Sequence, residues 1–169
     1  MSSDLKALDR QISELAKASD FSVDLATAAE DLGTTENDFA TVQRDVVTHQ
    51  CLAAASNAAV IHGDASLLDG GARAVAARAT AVNSLISRLR TQIATLESQY
   101  QTVASATKDP AIQSAGAERD SAIAMIAKTN DRISSVHTLE LRARTTIGPL
   151  VASARHLSDE AGVLAKSCR

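Results

Sequence analysis

The chain has 169 residues, of which 45% are apolar and 22% charged, and its net charge is −3. That suffices for one domain with a sizeable core and is too apolar for a disordered chain. Aromatic residues make up only 2%, with no Trp, so the core must be built from small aliphatic side chains, alanine above all. Each alanine removes little area from water, at about 25 cal/mol per Å². Such a core depends on many close contacts between backbones, which favours long helices at separations near ~8 Å. It disfavours a sheet, since strands prefer β-branched and aromatic residues. The expected fold class is therefore all-α: an antiparallel helical bundle of four to five helices forming a single domain over residues 1–169.

Glycine and proline divide the chain into five expected segments. The first spans about Asp4 to Leu32, with Leu5, Leu8, Ile12 and Leu15 on one face, a weaker stretch at Ser19–Ser22, and Gly33 as its C-terminal stop. The second spans about Glu36 to Ile61, capped by Thr34 or Thr35, with Phe39, Val42 and Val46 on its apolar side. Together they form an acidic hairpin, about 4–61. A linker follows at 62–71, in which Gly63, Gly70 and Gly71 are the expected hinge.

The third segment, about 72–108, carries the strongest periodicity. Val75, Ala79, Val82, Ile86, Leu89, Ile93, Leu96, Tyr100, Val103 and Thr107 alternate steps of four and three, the heptad pattern of a coiled coil. Asp109-Pro110 reads as a helix restart. The fourth segment, about 110–147, places Ile112, Ala115, Ala122, Ile126, Ile133 and Val136 on its seam, widened by Ile123, Leu139 and Leu141. The third and fourth segments predict a long coiled-coil-like hairpin. Gly148-Pro149 is expected to stop or kink the helix before a fifth segment, about 149–166, with Leu150, Ala154, Leu157, Ala161 and Leu164 in register.

Charge is unevenly distributed. Residues 1–70 hold four Lys/Arg and twelve Asp/Glu, whereas residues 71–169 hold thirteen and eight. The simplest use of this asymmetry is to pair the acidic hairpin with the basic one, covering 72–166. A basic surface from Arg88, Arg90, Arg142, Arg144, Arg155 and His156 is the candidate interaction site. Nucleic acid is disfavoured as its partner by the pI near 5.8 and the lack of stacking aromatics.

Chemistry-bearing motifs are missing from the sequence. Glu-x-x-His pairs do not occur, His156 and Glu160 read as a solvated surface pair, and His137 reads as a histidine near the seam. The segment Gly63 to Gly71 matches neither a Walker loop nor a calcium-binding loop. No catalytic residue, metal ligand or cofactor is expected. Cys51 and Cys168 form no CxxC pair, so Cys51 is expected as a small buried thiol in mid-helix and Cys168 as an exposed one, in a reducing compartment, with a Cys51–Cys168 bridge as the lesser alternative.

The most apolar stretch, Cys51 to Ile61, is too short for a membrane span of about 20 residues. The polar start of the chain does not read as a signal peptide. A cytoplasmic protein is the default expectation, with leaderless secretion as the other route. The function expected is a non-enzymatic structural or protein-interaction bundle, self-associating or bound to a protein partner. The alternatives are a surface-active helical protein that opens onto a membrane or polymer surface, and a small-molecule-binding helical sensor.

Overall fold

The structure, a computed structural model, describes residues 3–105 and 113–168. Among these residues it is all-helical, with no strand. The elements are α1 (Ser3–Ala18), α2 (Ser22–Val47), α3 (Cys51–Ser105) and α4 (Gln113–Ser167). The expected restart at Asp109-Pro110 lies outside the described residues, as do Thr107, Ile112 and the side chains of Val103 and Ala115.

Several expected boundaries move. Gly33 does not end a helix: α2 runs through it, and Thr35 is no cap but a buried residue whose hydroxyl donates to the Asp31 carbonyl at 2.8 Å. The break falls at the weaker stretch instead. There Ser19 folds back onto the Ala16 carbonyl, Phe21 is buried, and the Arg78 guanidinium donates to the Asp20 carbonyl at 2.8 Å.

The second break, at Thr48-His49-Gln50, carries no glycine or proline. The His49 amide bonds the Val46 carbonyl and the Gln50 amide bonds the Asp45 carbonyl, with His49 at φ 55°. This is a Schellman stop with histidine in the left-handed position that glycine usually fills. The expected single segment from 36 to 61 is therefore two helices that meet at this turn.

The expected linker at 62–71 is helical throughout, and α4 continues through Gly148-Pro149 to Ser167. A proline inside a helix costs about 3 kcal/mol. Around it Ile147 and Val151 are buried in one cluster with Ala28 and Leu68, and burying each such side chain is worth roughly 1.5–3 kcal/mol. The buried positions Ala143, Ile147 and Val151 take two successive steps of four at this point. The five expected segments thus do not become five helices. Neither the linker nor the Gly-Pro break divides the chain, and the helices pack three at a time.

The chain separates into two compact units. The first, Met1–Asp20 with Arg78–Leu141, combines α1 with the later part of α3 and the earlier part of α4. Its buried side chains include Leu8, Ile12, Leu15, Val82, Ile86, Leu89, Ile126 and Ile133. Asp9 pairs with Arg132 at 3.6 Å.

The second unit, Phe21–Ala77 with Arg142–Arg169, combines α2 with the start of α3 and the end of α4. Its two clusters are smaller in side-chain size. One holds Ala28, Ala65, Leu68, Ile147, Val151 and Ala154, the other Val42, Ala54, Ala58, Ile61 and Ala161. Buried Asp45 accepts a hydrogen bond from the Asn57 amide at 2.8 Å, tying α2 to α3. Here Cys51 meets Cys168, His62 meets Ser158 and Asp69 meets Arg155, so α3 and α4 run in opposite directions.

The cysteines overturn their expectation. Cys51 is the first residue of α3, not a mid-helix thiol, and it forms a disulfide with Cys168. The α4 seam is also corrected. Ile123, Leu139 and Leu141 are exposed, while Thr129, Glu140 and Ala143 join Ile133 and Val136 at the buried positions between Ile126 and Ile147.

Candidate functional site

The buried positions of α3 step by threes and fours from Ala54 through Ala58, Ile61, Ala65 and Leu68, and on to Val75 and Ile93. Whatever the helix presents on the opposite side is free to serve another purpose. In the second unit that opposite side carries Ser56, Val60, Gly63, Leu67, Gly70 and Ala74, all exposed. These too recur at steps of four and three, so they form one stripe along the rod. No member is charged, and Leu67 is 75% exposed. A side chain added at Gly63, Gly70 or Gly71 would meet nothing within 4 Å. These glycines relieve no crowding inside the chain, and each costs about 0.5–1 kcal/mol against alanine within a helix.

Of the basic residues singled out from the sequence, Arg88 and Arg90 fall in the first unit and Arg142, Arg144, Arg155 and His156 in the second. Arg88 and Arg90 are both exposed in the first unit but stand two apart on one helix, as do Arg142 and Arg144 in the second. Residues at that spacing point to different sides. Arg155 is engaged with Asp69, whose other carboxylate oxygen holds Arg73. His156 stands 3.4 Å from Glu160 along its own helix. Two long-range ion pairs, Asp9 with Arg132 and Asp69 with Arg155, join an acid from residues 1–70 to an arginine from 71–169. The charge asymmetry is thus used, at least in part, within the chain. Gly63, Gly70 and Gly71 lie inside α3 with helix on both sides.

One polar pair escaped sequence reading. The His62 ring Nδ1 lies 3.2 Å from the Ser158 hydroxyl. They line an open groove of about 650 Å³ between α3 and α4, with Ala55, Ala58, Ala59 and Gly162. A nucleophilic serine needs a histidine that is itself oriented through its second nitrogen. The contact also joins α3 to α4. His137 faces Glu140 at 3.5 Å on the buried side of α4. Among the described residues no three His, Cys, Asp or Glu side chains stand close enough to hold a metal ion. No helix among them is long and apolar enough to cross a membrane.

No family model matches the chain, and neither a curated protein nor a solved structure matches it.

Proposed function

We propose that this chain is a non-enzymatic structural protein that works by docking the outer stripe of α3 against another helix, first of all that of a second copy. On this reading α3 and α4 are coiled-coil-like rods, and the protein's role lies in the surface they present. The observation that carries it is the uncharged stripe from Ser56 to Ala74 with its exposed glycines. An outward helix face in water is normally rich in charge. Here apolar side chains alternate with positions that have no side chain at all, a relief that lets a second backbone come close.

Sedimentation equilibrium over a micromolar concentration series tests the proposal. The expected result is reversible self-association that Leu67→Glu abolishes while leaving helicity and melting temperature unchanged. A chain that stays monomeric at every concentration overturns self-docking. Flotation with phosphatidylcholine and phosphatidylglycerol vesicles then separates the alternatives, because capture by lipid would assign the same stripe to a membrane surface.

A further inference from the structure

We propose that the Cys51–Cys168 disulfide is a permanent clasp of the working protein, and that the chain therefore acts where thiols are oxidised. These are the two cysteines of the whole chain, separated by 117 positions. Cys51 opens α3 and Cys168 directly follows the end of α4. Because the two helices run in opposite directions in this unit, their ends meet, and the Cα atoms stand 5.4 Å apart. That separation suits a disulfide without any shift of backbone.

The packing beside the clasp explains what it is for. The nearby cluster is largely alanine: Ala54, Ala58 and Ala161 with Val42 and Ile61. Leu164 and Ala165, in the last turns of α4, are only partly buried. Little apolar area holds this helix end, so a covalent tie supplies what burial does not. Closing so long a loop restricts the unfolded chain strongly, enough to lower its unfolding constant by about a thousand-fold in the chain-entropy account.

The bond forms by exchange with the disulfide of a thiol-oxidising protein. One cysteine thiolate attacks the donor disulfide to give a mixed disulfide. The other thiolate attacks the first cysteine's sulfur and displaces the donor sulfur still bound to it. Two electrons pass to the donor, which leaves as a dithiol carrying the two protons the cysteines gave up. A reducing cytosol runs the same exchange backwards.

Thiol trapping in the native host is the direct test. Cells and medium are quenched in acid and treated with a maleimide–polyethylene glycol before and after reduction. No tagged thiol before reduction and two after is the expected result, whereas two tagged thiols before reduction overturn the proposal. The purified full chain provides a second reading. Reduction with a phosphine, or the pair Cys51→Ser and Cys168→Ser, should lower the melting temperature by on the order of 10 °C. It should also speed amide exchange across residues 158–167 while leaving residues 82–93 protected. Unchanged melting and exchange would show that the bond supports nothing.

Discussion

The two units fill their interiors differently. The first inserts branched side chains: Leu8, Ile12 and Leu15 from α1, Val82, Ile86 and Leu89 from α3, Ile126 and Ile133 from α4. The second relies on Ala28, Ala54, Ala58, Ala65, Ala154 and Ala161 and adds a disulfide, while buried polar residues occur in both units, Ser19, Thr129 and Glu140 in the first and Thr35, Asp45 and Ser158 in the second. One chain thus uses two routes to a three-helix cross-section. Where side chains are large, area removed from water suffices. Where they are small, a covalent link adds to it.

The contrast is broken most directly by truncating the first unit. Ile86→Ala removes a side chain that is 1% exposed, and should cost about 3–4 kcal/mol through lost burial and the cavity left behind. Chemical denaturation measures it. A cost below 1 kcal/mol would mean that the first unit does not depend on its large residues.

The reverse experiment, Ala154→Leu, forces bulk into a fully buried position of the second unit. Overpacking there should destabilise by about 1–3 kcal/mol. A gain in stability would show that the helices can separate to take the larger residue. The smallest effect concerns the α2–α3 turn. His49→Gly relieves the left-handed backbone at φ 55° and should stabilise by about 1 kcal/mol. A lowered melting temperature would indicate that the imidazole itself supports the turn.

The same contrast decided what could be read from the sequence. From Val75 to Ile93 the heptad was legible because bulky residues sit inward and polar ones outward. Upstream the seam continues through Cys51, Ala54, Ala58 and Ala65, but alanine also fills the outward positions 55, 59, 74, 76 and 77. An amphipathic signal vanishes when both faces hold the same residue. Gly63, Gly70 and Gly71 then read as breaks although the helix passes through them, because neighbouring seam residues keep it docked. Thr129 and Glu140 hid the α4 seam by being polar. The stop at His49 left no trace, since its left-handed backbone is set by the turn's own hydrogen bonds.

The candidate site was less legible still. Asp69 and Arg155 lie 86 positions apart and belong to no recognisable motif. Nor does periodicity show that His62 on α3 and Ser158 on α4 reach each other. The outer stripe of α3 was present in the sequence as a run of small residues, but its meaning depended on knowing which side the seam occupied.

The clasp has a topological consequence. With residues 51 and 168 joined, the backbone between them is a closed ring that includes all of α3 and α4. One peptide bond cut anywhere inside that ring opens it without releasing a piece, and the product migrates as a single species on a gel until a thiol reagent is added. Shedding a fragment from this stretch takes two cuts, or one cut and an electron donor.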